Sequence, residues 1–216
     1  MKIQILINKN SWAENYKKLI KNHLKIFSKN IIFLKDHKKL KKNFDINIIF
    51  SYFAIIKKKY LIRSKYNIIP HESDLPKGKG MSPLTWQILK GNQIITFSLI
   101  EASEKIDSGN IYFKTKVFLK KDLTFNEIKN IQFITNIKMI KKFLYFYKEK
   151  KRRPKNYISK GKATYFKKRT PEDSKININK SLKSQFNLLR VCDEKNYPAF
   201  FYFNKKKYFL TLKKKN

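Results

Sequence analysis

Short apolar runs alternate along the chain with segments in which apolar residues recur every three or four positions. Residues 3–7 are mainly apolar, residues 8–11 are polar, and a helical pattern begins at Trp12. This pattern predicts a strand, a turn and a helix whose outer face is rich in lysine. His23 lies on that predicted helix, and we expect it at the edge of the buried face.

The same pattern continues beyond the first helix. Strands are predicted over residues 30–34, 46–53, 66–70, 94–100 and 111–118, and helices over a polar segment of about two turns after residue 56, over 83–89 and over 122–147. Ser82 is expected to cap the helix that begins at Pro83, and Trp86 is expected in the core. His37 lies among charged residues and is assigned no role. Alternating strands and helices are typical of an α/β fold with a mostly parallel sheet.

A run of lysine and arginine ends the long helical pattern near residue 150 and includes Pro154. A packed helix cannot continue through such a run, which predicts a boundary. We therefore expect a catalytic domain over residues 1–150 and a small C-terminal subdomain with β-strands over residues 151–216. The C-terminal segment is rich in aromatic residues, which would offer a surface through which two copies could pair as a homodimer.

The chain carries a net charge of +36, from 51 Lys and Arg residues against 15 Asp and Glu residues. This charge alone indicates a partner such as nucleic acid or an anionic membrane surface. The lysines are spread through every segment together with isoleucine and asparagine, which is also the composition that an AT-rich genome produces. We favour the compositional explanation, while binding of nucleic acid stays open.

Several features bear on the location of the protein. No uncharged run approaches the roughly 20 residues that a membrane span needs. The N-terminus has too short an apolar run for a signal peptide. The single cysteine, Cys192, fits a reducing compartment. We expect a soluble, cytoplasmic protein without a membrane partner.

Polar and turn-forming residues concentrate between Asn67 and Tyr112. This stretch holds His71, most of the glycine in the chain, and the turn Asp107-Ser108-Gly109. The predicted strand over residues 66–70 delivers His71 at its carboxyl end, which is the edge where open α/β sheets bind ligands. The concentration of such residues predicts a shaped site.

The spacing within this stretch resembles the signature of the folate-dependent formyltransferases, a family that includes methionyl-tRNA formyltransferase and the sugar N-formyltransferases. The positions that carry the resemblance are His71, Ser73, Leu75, Pro76, Gly80, Pro83, Gly91, Asp107, Ser108 and Gly109. The fuller wording, HESDLPKGKG followed by SPLTWQIL, is most similar to the sugar-modifying branch, including the pseudaminic-acid-pathway type. The segment RTPEDS near the C-terminus carries the same likeness.

The resemblance implies a Rossmann-like formyltransferase fold and 10-formyltetrahydrofolate as the formyl donor. It also implies two loops that bind the pterin, with the residues Phe53, Ile55, Ile56, Ala102 and Ser103. His71 and Asp107 would be catalytic. An imidazole changes its charge near neutral pH, so His71 can accept the proton of an amine. Once protonated and held by Asp107, it can donate to the developing oxyanion.

One departure from the family pattern concerns the formyl oxygen. The family places an asparagine two residues before the histidine, and this chain has Ile69 there. Asn67 lies two residues earlier, and at about 3.3 Å per residue it would be roughly 13 Å from His71. We therefore expect that Asn67 does not polarise the formyl oxygen, and that another group or the protonated His71 does.

A second candidate site lies at the turn Asn10-Ser11-Trp12, which follows the first predicted strand and precedes a helix. Backbone N–H groups at such a position favour an anion, such as a substrate phosphate. Ser11 could instead serve only as an N-cap. The scattered histidines and the single cysteine predict no metal site, and no G-x-G-x-x-G fingerprint of dinucleotide binding is present.

The leading functional hypothesis is transfer of a formyl group to the amino group of an amino sugar, nucleotide-linked or free, in surface-polysaccharide biosynthesis. Methionyl-tRNA formylation is the alternative. The charge favours that alternative, and the short segment after residue 150 disfavours it. A third reading, encouraged by the missing asparagine, is an inactive homologue that only binds a folate or nucleic acid.

Overall fold

The computed structural model describes residues 1–215 and arranges them around a six-stranded sheet. Within these residues the strands are β1 (Lys2–Leu6), β2 (Asn30–Leu34), β3 (Phe44–Ile49), β4 (Ser64–His71), β5 (Lys79–Gly80), β6 (Ile94–Glu101), β7 (Ile111–Phe118), β8 (Tyr165–Phe166), β9 (Ala199–Phe203) and β10 (Lys206–Leu210). The α-helices are α1 (Lys17–Leu24), α2 (Lys58–Leu61), α3 (Pro83–Leu89), α4 (Phe125–Lys150) and α5 (Phe186–Leu189), and 3-10 helices cover Trp12–Tyr16, His37–Lys39 and Pro171–Ser174.

The large sheet has the strand order β2-β1-β3-β4-β6-β7. The pairs of β1 with β2, β1 with β3 and β3 with β4 are parallel, whereas β6 and β7 add antiparallel strands at one side. In the register of β4 and β6, His71 lies opposite Ser98 and Ile68 lies opposite Glu101. The mostly parallel α/β sheet confirms the predicted fold class.

The sheet is covered on both faces, as the apolar strands predict. Ile3 and Ile5 of β1 belong to the main core with buried residues of α1, α3 and α4, whereas Leu6 packs on the other face with Leu61 of α2. Phe143 of α4 is fully buried in the main core. Burial of one such side chain contributes about 1.5 to 3 kcal/mol, so the long helix holds the sheet that positions the site.

Two predicted elements are shorter than expected. The strand predicted over residues 46–53 ends at Ile49, because the backbone turns at Ser51, whose φ of 55° is left-handed. The polar helix predicted after residue 56 covers only Lys58–Leu61, which is one turn rather than two. Residues 50–57 consequently form a loop at the edge of the sheet.

Three predictions about single side chains are also corrected. Ser82 precedes α3 as expected, but its φ is 53° and its side chain makes no capping hydrogen bond. His37 is half-buried rather than fully solvated, because its Nδ1 atom lies 2.8 Å from the hydroxyl oxygen of Tyr52. Trp86 is half-buried rather than in the core, and its Nε1–H donates to the carbonyl oxygen of Lys167.

Residues 151–215 pack against the α/β part. The short strands β5 and β8 pair in parallel, and the guanidinium of Arg190 donates to the carbonyl oxygen of Lys120. β9 and β10 form an antiparallel pair. The division into residues 1–150 and 151–216 stays a proposal, supported by the end of α4 at Lys150 and the left-handed Lys151 that follows. The last residue of that range, Asn216, lies outside the described residues.

Among the described helices, none combines the length and the apolar character that crossing a membrane requires.

Candidate active site

His71 is the last residue of β4 and is 6% exposed. Its Nε2 atom lies 2.9 Å from the carbonyl oxygen of Gly78. A carbonyl oxygen can only accept a hydrogen bond, so Nε2 carries the proton in the neutral ring and Nδ1 keeps a lone pair. Nδ1 lies 3.7 Å from Oδ1 of Asp107. The proton-accepting nitrogen therefore faces the carboxylate.

Asp107 reaches His71 through a loop that reverses direction. β6 is antiparallel to β4 and passes His71 at Ser98. The loop then leaves the sheet beside Asn67, where Ala102 donates its N–H to the carbonyl oxygen of Asn67 at 2.7 Å. The loop then folds back, and Oδ2 of Asp107 accepts the backbone N–H of Gly80 at 2.8 Å. The sequence predicts the meeting of the two residues but not this route.

Gly109 allows the loop to lie directly on β6. A Cβ atom at this position would be 1.6 Å from the carbonyl oxygen of Glu101, which no neighbouring backbone could accommodate. Gly80, with φ of +97°, has the same role beside β8, since a Cβ there would be 2.4 Å from the carbonyl oxygen of Phe166. Both glycines of the motif therefore permit close backbone contacts that frame Asp107.

A cavity of about 480 Å³ lies beside His71. It is lined by all ten residues that the sequence assigned to the site, namely His71, Asp107, Phe53, Ile55, Ile56, Ala102, Ser103, Asn10, Ser11 and Trp12. Phe53 and Ile55 are more than half exposed, whereas Ile56 is buried and anchors their loop. The structure therefore brings together the two residues proposed to be catalytic, the two loops proposed for the pterin, and the turn proposed for an anion.

The turn at residues 10–12 is already engaged in part. The backbone N–H of Asn10 donates to Oε2 of Glu14 at 3.0 Å. Hydrogen bonds from Lys17 and Asn10 lower the pKa of Glu14 to about 2. Ser11 makes no capping hydrogen bond, and its buried Oγ atom has no partner within residues 1–215. The proposed role in binding an anion stays a prediction for this turn.

Asn67 does not line the cavity. Its side-chain amide donates to the carbonyl oxygen of Leu61 at 3.0 Å, and its Oδ1 atom accepts from Asn47 at 3.0 Å. Ile69 lines the cavity at the position where the family has asparagine. The side chain of Asn67 thus joins β4 to its neighbours, away from the site.

Sequence reasoning missed a group of polar residues on the same cavity wall. They are Glu72, Lys129, Gln132, Asn136 and Arg169. Gln132 and Asn136 are 4% and 1% exposed. The signal that could have revealed the three residues from α4 is their spacing, because positions 129, 132 and 136 lie on one helical face. A polar stripe on a buried helix face has to meet a partner or a ligand.

A second cavity, of about 940 Å³, adjoins the first. The residues that line both are Asn10, Ser11, Trp12, Phe125, Asp193 and Asn196. The remaining wall of the second cavity comes from Glu14 and Asn15, from the start of α4 and from the C-terminal segment. A ligand could therefore extend from His71 into the space beneath the C-terminal strands.

Within residues 1–215, no group of three or more His, Cys, Asp or Glu side chains is placed to hold a metal ion.

Comparison with known proteins identifies relatives by sequence. A family model described as Formyl transferase matches residues 14–140, which is more than half of the chain. Methionyl-tRNA formyltransferase of Pseudothermotoga lettingae is 28% identical over 179 residues, which cover 82% of this chain and 56% of that protein. The chain thus spans about half the length of this curated relative.

Solved structures share the fold. Methionyl-tRNA formyltransferase from Clostridium thermocellum is 24% identical, with a TM-score of 0.76 over 96% of this chain and 90% of its own. A sugar N-formyltransferase from Shewanella sp. is 15% identical, with a TM-score of 0.69 over 100% and 99% of the two chains. HypX from Aquifex aeolicus in complex with tetrahydrofolic acid is 14% identical, with a TM-score of 0.72 over 98% and 37%.

Proposed function

The chain belongs to the formyl transferase family, and we propose that it transfers a formyl group from 10-formyltetrahydrofolate to the amino group of an acceptor. The observation that carries the proposal is the pairing of His71 with Asp107 in a cavity that both proposed pterin loops border. The solved relative with bound tetrahydrofolic acid supports a folate as the donor.

The residues present fit such a donor. Phe53 and Ile55 offer exposed apolar surface beside the cavity, which suits one face of a flat ring system. Ala102 and Ser103 border the same space from the loop that follows β6. When bound there, 10-formyltetrahydrofolate would supply the one-carbon group for transfer.

His71 would accept the proton of the acceptor amine as the nitrogen attacks the formyl carbon. Its Nδ1 atom has the lone pair, since Nε2–H donates to Gly78. The imidazolium that results would be stabilised by Asp107 at 3.7 Å and could donate to the oxyanion through Nδ1–H. The same proton would pass to the folate nitrogen as the bond between that nitrogen and the formyl carbon breaks, which would release tetrahydrofolate. The side chain of Asn67 is hydrogen-bonded to Leu61 and Asn47, away from the cavity. The protonated His71 is therefore our candidate for polarising the formyl oxygen, which the missing asparagine does in the family.

For the acceptor we propose an amino sugar, which is nucleotide-linked or free. The likeness to a sugar N-formyltransferase over the whole of both chains supports this choice. The wall of the second cavity also carries amide and hydroxyl side chains, including Asn15, Asn126 and Thr211, which suit the hydroxyl groups of a sugar. A role of the protein in surface-polysaccharide biosynthesis and a cytoplasmic location remain predictions from the sequence.

Methionyl-tRNA is a second candidate acceptor. A curated relative with 28% identity carries that activity in its name, and the charge of +36 would attract an RNA. Association of two chains through the aromatic C-terminal strands stays a prediction for either acceptor.

The proposal is tested by incubating the protein with 10-formyltetrahydrofolate and a panel of amino sugars, and by following release of tetrahydrofolate. His71→Ala should abolish turnover, whereas His23→Ala, the same change at an exposed position, should not. Formylation of methionyl-tRNA in a parallel assay would select the second acceptor. Absence of turnover with every acceptor, or equal rates in wild type and His71→Ala, would contradict the proposal.

A further inference from the structure

Lys129 of α4 lies among aromatic rings at the wall of the inner cavity. Its Nζ atom is 5.1 Å from the centre of the Trp12 ring and 5.4 Å from that of Phe125. It donates one hydrogen bond, to Oε1 of Gln132 at 2.8 Å. Over the described residues it has no other hydrogen bond and no carboxylate within 4.0 Å. An ammonium group has three donors, so two remain for a ligand.

This environment is costly for a charge. Burial lowers the pKa of Lys129 to about 8, although Glu72 and Asp193 act in the opposite direction and Arg169 adds to the lowering. Neither carboxylate lies within 4.0 Å of the ammonium: Glu72 accepts from Asn136 at 2.9 Å, and Asp193 accepts from its neighbours in the chain. Buried charges are normally paired, so an incompletely paired cation beside a cavity indicates a binding site.

Arg169 is a second cation on the same cavity wall and is 5% exposed. Its terminal nitrogens donate to the carbonyl oxygen of Val191 and to Oγ of Ser174. Its Nε atom has no hydrogen-bond partner among residues 1–215. A half-buried cation, Lys129, and a buried one, Arg169, therefore border this part of the cavity.

We propose that Lys129 binds an anionic group of the acceptor, a phosphate or a carboxylate, at the junction of the two cavities, with Arg169 adding to the positive field. This inference rests on the proposed function, which defines the acceptor as the molecule that receives the formyl group. The faces of Trp12 and Phe125 favour the charged ammonium, which suits a partner for an anion better than a neutral base. Acceptors with a negative charge near the amine would thus be selected over neutral ones.

The position of Lys129 assigns the anion to the acceptor rather than to the folate. Its aromatic neighbours, Trp12 and Phe125, line both cavities. The residues proposed to hold the pterin, such as Phe53 and Ala102, line only the inner one. A carboxylate of the folate tail is the competing source, and the experiment has to separate the two.

The test compares wild type with Lys129→Met, Lys129→Arg and the control Lys138→Met, in which an exposed lysine of the same helix is replaced. Binding of inorganic phosphate and of UMP is measured by calorimetry. We expect Lys129→Met to weaken binding about 10- to 100-fold, because one charge-assisted hydrogen bond is lost. Lys129→Arg should retain part of the affinity, and Lys138→Met should retain the full affinity of wild type.

A second readout is specific to the ammonium. At pH 8, where the free phosphate is mainly the dianion, binding should take up about half a proton from the buffer, because an anion restores the charged form of a group whose pKa is about 8. This uptake should vanish in Lys129→Met. No phosphate binding by wild type, or the same affinity and uptake in Lys129→Met, would overturn the inference.

A further binding measurement compares the affinities of wild type and Lys129→Met for tetrahydrofolate and for tetrahydropteroate, which lacks the glutamyl carboxylates. If Lys129→Met weakens only the form with the tail, the anion belongs to the folate and the assignment to the acceptor is wrong. The outcomes also separate the inference from the proposed function. Lys129-dependent phosphate binding without turnover would refute only the function, and normal kcat/KM for phosphorylated acceptors in Lys129→Met would refute only the inference.

Discussion

The Nδ1 atom of His71 lies 3.7 Å from Oδ1 of Asp107, with Nε2 of the same ring held by the carbonyl oxygen of Gly78. The distance exceeds that of a hydrogen bond, so the lone pair of Nδ1 is not occupied by a proton from the carboxyl group. It is short enough for a strong attraction once the ring is protonated. The arrangement suits a base that gains a charge during the reaction.

Replacement of Asp107 by asparagine tests this arrangement. We expect kcat to fall about 100- to 10,000-fold, because the neutral amide no longer stabilises the imidazolium. An amide oxygen can still accept the N–H of Gly80, so the fold should persist. Steady-state rates and circular dichroism measure the two effects. Activity within about threefold of wild type would show that the carboxylate is dispensable.

Gly109→Ala should damage both stability and activity. The new Cβ atom would overlap the carbonyl oxygen of Glu101, so the loop that carries Asp107 must move. We expect a loss of at least about 2 kcal/mol in the free energy of unfolding, measured with urea, together with a large fall in kcat.

Gly161→Ala is the matched control for Gly109→Ala, because it makes the same substitution away from the loop that carries Asp107. Its φ of +107° strains an alanine, but no atom lies within 4 Å of the added Cβ. It should cost about 1 kcal/mol and leave kcat unchanged. A Gly109→Ala variant as stable and as active as this control would contradict the close approach of the loop to β6.

Asn67→Ala separates structure from catalysis at the asparagine that lies four residues before His71. Its amide bridges Leu61 and Asn47 in a buried position, so its loss should cost about 1 to 3 kcal/mol of stability. The value of kcat, measured below the unfolding transition, should stay within about twofold of wild type. A fall in kcat comparable to that of His71→Ala would make Asn67 a participant in the reaction.

Lys129→Met should stabilise the protein at neutral pH. The native state lowers the pKa of Lys129 from 10.5 to about 8, so between these values the unfolded chain holds more protons than the native one. The stability of wild type relative to the variant therefore rises with pH across this window. We expect the variant to be more stable by roughly 1 to 3 kcal/mol at pH 7.

Urea unfolding of the two proteins at pH 7 and near pH 10 measures this difference. It should shrink at the higher pH, because the amine of native wild type is then largely neutral and its burial no longer places a charge in the core. A difference that is independent of pH would mean that packing of the methionine, and not the charge, is responsible.

Local patterns in the sequence were sufficient for the strands that carry the site. The apolar run before His71 and the spacing of the turn at Asp107 to Gly109 predicted both catalytic candidates, and the structure brings them together. The end of β3 was missed because it depends on a left-handed Ser51, and a serine can also adopt the extended conformation of a strand.

The polar wall of the cavity could not be predicted in the same way. Lys129 is one of many lysines in the sequence, and only the packing of α4 against Trp12 distinguishes it from the exposed Lys138. Arg169 is distant from His71 in the chain and borders the cavity only because the C-terminal segment folds back over it. Such tertiary placement has no local signature.

The pairing of β5 with β8 has a consequence for how the protein is made. The loop that holds the ring of His71 is covered by Phe166, so nearly a hundred further residues must be synthesised before that loop gains its cover. A nascent chain could fold most of the large sheet and still lack the complete wall of the cavity beside His71. The activity proposed for His71 would then be expected only after the segment that carries Phe166 has been synthesised and has folded against that loop.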